Sequence, residues 1–244
     1  MIQQLHFSIQ GQPECRLDSE LSVKLHGYLM NRIPQELAAA YHSNALRPYA
    51  LYLCPAASDG TQIGLLSILR EDAAVIAEEL TAAKHIPIGG MKTPLRCTVQ
   101  ESEQYYLRDV VQVLTGNRLR LRFLSPAVYK LNSQPCCFPD LPRLFHSVLE
   151  KMALFEGVVV SEEAFRQALA ALRITDWQLS HSPFLITGRS QQGMHGMIEC
   201  ILPQDEALSR LIKTVFVYAQ FCGVGARTAM GMGGVQIESI ISRV

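Results

Sequence analysis

At 244 residues the chain is long enough for one large domain or two small ones, and its 48% hydrophobic content supplies the apolar surface of a real core. No apolar run reaches the ~18 residues of a membrane-spanning helix. The seven cysteines (15, 54, 97, 136, 137, 200 and 222) are odd in number and hold no Cys-x-x-Cys, so they encode neither a disulfide framework nor a structural zinc site.

Lys+Arg and Asp+Glu both number 22, which argues against the basic surplus of most nucleic-acid-binding domains. The balance is uneven along the chain. Between Lys84 and Lys130 eight basic residues (Lys84, Lys92, Arg96, Arg108, Arg118, Arg120, Arg122, Lys130) face three acidic ones (Glu101, Glu103, Asp109). Acids gather instead at Glu71-Asp72, Glu78-Glu79, Glu162-Glu163 and Asp205-Glu206, positions expected on solvent faces or first turns of helices. One basic face on a neutral protein fits this pattern.

In chain order, Leu5, Phe7 and Ile9 alternate with polar residues as a strand. No leader-like basic and apolar segment precedes it, so a cytoplasmic location is expected. Ser19 then stands before a helical period through Leu21, Leu25, Tyr28 and Leu29, broken near Pro34 and resumed to Tyr41. Strands are expected over 49–53 and 62–69, around a turn cluster at 55–60, followed by a helix over 71–83 and an extended stretch from Ile86 towards Val99. The order βαββαβ recurs after a polar segment at 101–117 with room for one more strand: strand 118–124, helices 140–153 and 161–172, strands 176–187 and 194–202, helix 205–221, strand 234–241. The expectation is therefore α+β, two tandem ferredoxin-like (RRM-like βαββαβ) domains over 1–115 and 116–244, each an antiparallel sheet with helices on one face.

The stretch Gly223-Val224-Gly225-Ala226-Arg227-Thr228-Ala229-Met230-Gly231-Met232-Gly233-Gly234 places five glycines around one arginine. Glycine allows φ > 0 and a close backbone approach, so successive N–H groups could converge on an anion, with the Arg227 guanidinium beside them. A dinucleotide fingerprint would need glycine where Thr228 stands, and no Gly-Lys-Ser/Thr closes a P-loop. A helix stop followed by a β-bulge would explain one or two of the glycines, not five. In Arg118-Leu119-Arg120-Leu121-Arg122 the strand period puts three guanidinium groups on one face; either they are solvated or they await phosphates.

Among seven histidines, His42 stands at a helix-to-strand junction, five residues before the fixed cation Arg47. Histidine suits proton transfer near neutrality, although a lone histidine at a helix end is usually a cap. No His-x-x-x-His or His-Glu-x-x-His appears and no carboxylate stands near His42 in the sequence, so no metal site is expected.

The segment "GMIECILPQDEALSRLIKTVFVYAQFCGVGARTAMGMGGVQI" (196–237) resembles the C-terminal signature of the repeat-associated RNA-binding (RAMP) superfamily, and within it the CRISPR RNA-processing endoribonucleases, the Cas6 family. "RLRFLSPAVYKLNSQPCCFPDLPRLFHSVLEKM" (118–152) looks like the start of that family's second domain, and "LHGYLMNRIPQELAAAYHSNALRPYALYL" (25–53) like its helix, histidine and following strand.

The resemblance implies metal-independent transesterification of precursor CRISPR RNA without a cofactor, leaving a 2′,3′-cyclic phosphate and a 5′-hydroxyl. His42 takes the place of the family's catalytic histidine and Arg47 that of a lysine. Where some members carry a tyrosine this chain has Met30; His26, four residues earlier on the same helical face, is a candidate partner, with Tyr28, Tyr49 or water as alternatives. RNA contact is expected from Gly223, Gly225, Arg227, Gly231 and Gly233 and from Arg118, Arg120 and Arg122. The implied partners are CRISPR repeat RNA and an effector complex, for a monomer or homodimer away from membranes. A non-catalytic RNA-holding subunit of an interference complex is the alternative.

Overall fold

The structure, a computed structural model, describes residues 1–11, 19–44, 46–54, 60–89 and 93–240. Cys15, Lys92, most of the turn cluster expected at 55–60 and the end of the expected last strand at 241 lie outside them.

The first sheet combines β1 (Ile2–Gln10), β2 (Tyr49–Leu53), β3 (Thr61–Ile68), β4 (His85–Ile86) and β5 (Leu95–Tyr105) in the antiparallel order β2-β3-β1-β5-β4. Alternation in β1 turns Leu5, Phe7 and Ile9 inward. There they meet Leu25 and Leu29 of α1 (Glu20–Met30) and Ile76 and Leu80 of α3 (Ala74–Ala82). Between them, α2 (Gln35–Ser43) begins after Pro34, which has no N–H to continue α1. Phe7 pairs with Gly64 on β3, and its ring fills the space a side chain there would occupy.

The second sheet has the order β11-β6-β10-β9, from β6 (Arg118–Phe123), β9 (Arg173–Ile186), β10 (Arg189–Ile201) and β11 (Val235–Ser239). Its helices α5 (Leu141–Lys151), α6 (Glu162–Ala170) and α7 (Glu206–Cys222) pack on one face, where Phe145 stacks on Phe216 at 4.7 Å between ring centroids. Asp140, Ser161 and Asp205 cap these helices through side-chain oxygens that accept from the third residue on. Both sheets thus carry the split βαβ connection with helices on one side, so the protein is a pair of tandem ferredoxin-like domains.

The structure departs from expectation where polar sequence is organised by pairing. The segment 101–117 lengthens β5 to Tyr105 and adds a short helix, α4 (Leu107–Val111), packed on the second core; it forms no separate strand. A small hairpin, β7 (Tyr129–Leu131) with β8 (Gln134–Cys136), follows β6. Strands β9 and β10 run longer than their apolar residues indicate, because thirteen aligned pairs carry the ladder through exposed ends. Among the described residues no helix is long and apolar enough to cross a membrane.

Gly64→Ala should lower unfolding free energy by roughly 1–3 kcal/mol, as expected for overpacking against the Phe7 ring. Urea titration beside the parent protein measures it; an unchanged midpoint would mean that the ring moves aside freely.

Candidate functional site

The glycine loop after α7 is the joint between the two halves. Gly223, Gly225, Gly231 and Gly233 all have φ between 71° and 105°, where a side chain is strained. The direction of each missing Cβ is filled from inside the protein: the Tyr52 hydroxyl at Gly223, the Val128 carbonyl at Gly225, Ser22 at Gly231 and the Val224 carbonyl at Gly233. The loop's N–H groups are largely engaged as well. Gly225 donates to Leu144 O (2.8 Å), Ala226 to Val128 O (2.7 Å) and Gly233 to Pro126 O (2.9 Å). The expectation that the loop's N–H groups converge on an anion is corrected to this extent, because interdomain packing and tight turns already require glycine at these positions. Arg227, also left-handed at φ 64°, points its residue towards a cleft.

Helix α1 is fastened to this joint. Ser22 Oγ donates to Met230 O (3.0 Å), Leu185 N donates to Ser19 Oγ (2.9 Å) and Gly188 N to Glu20 Oε1 (2.8 Å). Ser19 therefore receives a bond from the β9 strand and makes no side-chain cap on its own helix. These contacts fix His26 of α1 relative to the glycine loop.

His26 is buried, 6% exposed, and its Nδ1 lies 3.0 Å from the Tyr49 hydroxyl, which also reaches Met30 Sδ at 3.3 Å. His42, exposed in the last turn of α2, has its ring centroid 6.4 Å from that of His26. Burial first, then the Arg47 charge, then His42, hold His26 down to about 4. Burial pushes the Tyr49 hydroxyl up, so it stays protonated. His26, His42, Arg47 and Tyr49 are thus brought together from α1, the end of α2 and the start of β2; the Met30 sulfur contacts the Tyr49 hydroxyl.

A cleft of about 330 Å³ is lined by Leu46 and Arg47 of the first domain together with Lys130, Lys151 and Arg227 of the second. Lys151 was missed in the sequence. It stands at the end of α5 on the stripe of Leu144 and Val148, at i+7 and i+3, where a lysine among core positions is the readable signal. Its Nζ donates to Cys222 O (2.7 Å) and Thr228 Oγ1 (2.8 Å), and burial lowers its basicity.

The arginine stripe of β6 is not gathered into this cleft. Arg120 sits opposite Glu199 of β10 and Glu238 of β11, ion-paired at 2.6 Å and 3.7 Å, so carboxylates neutralise it, a third outcome beside solvation and phosphate contact. Arg118 is half-buried, and Arg122, exposed, borders a separate depression with Cys54 and His195. Among the described residues no three His, Cys, Asp or Glu side chains gather as metal ligands.

The protein is thus a pair of tandem ferredoxin-like domains joined through a glycine loop, with a histidine and an arginine at the end of the first helical layer. The family model for CRISPR-associated endoribonuclease Cas6 matches residues 121–235 of this chain. Curated relatives named CRISPR-associated endoribonuclease Cas6 include one from Mycobacterium tuberculosis, 20% identical over 232 residues (91% of this chain, 73% of the relative). Another, from Streptococcus thermophilus, is 22% identical over 227 residues (90% and 92%). Similar solved structures are a Cas6 product complex (TM-score 0.77, 23% identity, 98% of this chain and 100% of that chain) and Thermus thermophilus Cas6 (TM-score 0.72, 19% identity, 98% of both).

Two outcomes test this geometry. Gly231→Val should lower the melting temperature of the RNA-free protein by several degrees, since strain at φ 105° and the clash with Ser22 act without any ligand. An unchanged melting temperature with impaired RNA binding would restore a loop open to phosphate. For His26 the folded pKa lies below the unfolded value of about 6.5, so the unfolded chain binds the extra proton. Its contribution is fully present above about 6.5 and is lost as pH falls towards about 4. Urea midpoints of wild type and His26→Gln should therefore converge from pH 7 to pH 4.5; a constant gap would place His26 in a wetter site.

Proposed function

We propose that the protein is an endoribonuclease that binds CRISPR repeat RNA and cuts the precursor transcript by metal-independent transesterification. The match to the Cas6 family model and the endoribonuclease names of similar proteins support the RNA-processing role. The observation that carries the mechanism is the pairing of a buried, uncharged His26 with an exposed His42 beside Arg47.

In this reaction the 2′-oxygen forms a bond to phosphorus while the bond to the 5′-oxygen breaks. One group takes the 2′-hydroxyl proton and another supplies a proton to the departing 5′-oxygen, giving a 2′,3′-cyclic phosphate and a 5′-hydroxyl. An imidazole held neutral to about 4 has no readily given proton, so donation to the leaving oxygen falls to His42, which solvent and substrate reach. His26, or water ordered beside it, accepts the 2′-hydroxyl proton; Tyr49 holds its ring through Nδ1. Arg47 offsets the charge that grows on the phosphorane oxygens. The two units 1–115 and 116–244 supply different parts: the first the proton-transfer groups, the second Arg227 and the loop that seats the strand.

Cleavage should proceed in excess EDTA and stop when the sugar before the scissile phosphate is 2′-deoxy. His42→Ala should lose at least the ~10²-fold typical of a general acid on ordinary RNA. It should lose little on a substrate whose 5′-bridging oxygen is sulfur, because a thiolate leaves without a proton. An equal loss on both substrates would remove His42 from the donor role. Tight repeat binding without cleavage by the wild type would favour the RNA-holding subunit.

A further inference from the structure

We infer that the adjacent thiols Cys136 and Cys137 form a reversible oxidation site at the open end of the β7–β8 hairpin, closing a bond with each other while a small-molecule disulfide is reduced. The hairpin is short. Asn132 and Ser133 turn it with left-handed φ of 50° and 64°, and its three rungs end at the Tyr129–Cys136 pair, so Cys137 lies just outside the ladder. Both thiols are free and half-buried. Cys136 Sγ stands 3.2 Å from the Tyr129 hydroxyl. Burial first, then the contact with Cys136, push that hydroxyl up to about 12, so it keeps a proton to donate to an ionised sulfur. The Tyr129 hydroxyl, then the Phe138 N–H, then the Arg143 charge hold the Cys136 thiol below its ordinary value, against partial burial and the Asp140 carboxylate. Burial instead pushes the Cys54, Cys97, Cys200 and Cys222 thiols up. A reactive thiolate beside a second, resolving thiol is the arrangement that oxidation selects.

The reaction balances in two exchanges. The Cys136 thiolate bonds to one sulfur of the small disulfide, whose S–S bond breaks, and the departing thiolate takes a proton from water. Cys137 then gives its proton to solvent and its sulfur bonds to that of Cys136, releasing the second small thiolate. Two protein thiols are oxidised and one disulfide is reduced to two thiols. Neighbouring Cα atoms stand about 3.8 Å apart across a trans peptide, closer than the roughly 4.4–6.8 Å of an ordinary disulfide, so the bond is strained and easily reduced. Such a bond follows the redox conditions and does not act as a staple. Its effect extends past the hairpin. Cys137 packs against the cluster of Val23, Val128, Phe184 and Met232, which brings α1 against the glycine loop, while Cys136 packs on the second core. Closing the bond draws Cys137 off that cluster and the Cys136 sulfur off Tyr129, and so loosens the joint that positions the histidines.

The test treats the full chain at pH 7 with bis(2-hydroxyethyl) disulfide, then with iodoacetamide and trypsin. Residues 131–143 emerge as one peptide that holds both thiols and no other. In the wild type this peptide should lose two hydrogen atoms and escape alkylation, and dithiothreitol before the iodoacetamide should restore two alkylated thiols. Cys137→Ser should stop at a mixed disulfide on Cys136, and Cys136→Ser should react at least ~5-fold more slowly. A wild-type peptide that stays doubly alkylated or keeps a mixed disulfide would overturn the inference, as would equal rates in the two single variants. The consequence for the joint rests on the RNA-processing reading above. Oxidised wild type should cut repeat RNA several-fold more slowly and recover in dithiothreitol, whereas Cys136→Ser/Cys137→Ser should cut at one rate before and after the treatment. Full-rate cutting by the oxidised wild type would overturn the link to the joint. Failure of the reduced wild type to cut would remove the RNA-processing reading alone, and the peptide mass would still decide on the thiol pair.

Discussion

Everything at the site depends on how closely the first domain approaches the loop that ends α7. Tyr52 of β2 and Ser22 of α1 occupy the volumes that side chains at positions 223 and 231 would fill. Backbone and hydroxyl groups meet there at hydrogen-bond distance, with Ser22 bonded to Met230 O. A buried side chain packed directly on glycine backbone leaves little room for sliding, because the backbone side of the contact has no rotamer to change. The distance from the histidines of the first domain to Arg227 of the second is set by that contact.

The joint also arranges charge. Cations converge on it from both domains: Arg47 before β2, Lys151 at the end of α5 and Arg227 within the loop. A positive surrounding disfavours a further positive group, and together with burial it keeps His26 neutral. Elsewhere the protein cancels charge locally, as at Arg120 between Glu199 and Glu238. A net charge of zero therefore conceals one cleft in which five basic residues outnumber the lining carboxylate of Glu150.

The order of elements was readable because helical and strand periods differ and both halves repeat the same order. What escaped was structure whose cause lies across the chain. The ends of β9 and β10 are polar and exposed, so no apolar alternation announces them; backbone pairing alone extends them. Residues 107–111 form a helix by packing on the distant α7, which no local pattern encodes. At the site, the junction of His42 and Arg47 could be located from helix and strand signals. The occupants of the glycine vacancies could not, since Tyr52 and Ser22 lie some two hundred residues away in sequence. The pairing of Arg120 likewise depends on register between three strands.

The joint has a consequence for biosynthesis. Its two sides are residues 22–52 and 223–234, so the first sheet, with His26, His42 and Arg47, can be complete on the ribosome long before its counterpart is made. Until the glycine loop has emerged, β2 has a bare flank at Tyr52 and the cationic cleft has one wall. The cleft is therefore complete only once residues 223–234 have been made, and a chain terminated before residue 223 would lack the Gly225–Ala229 part of its lining.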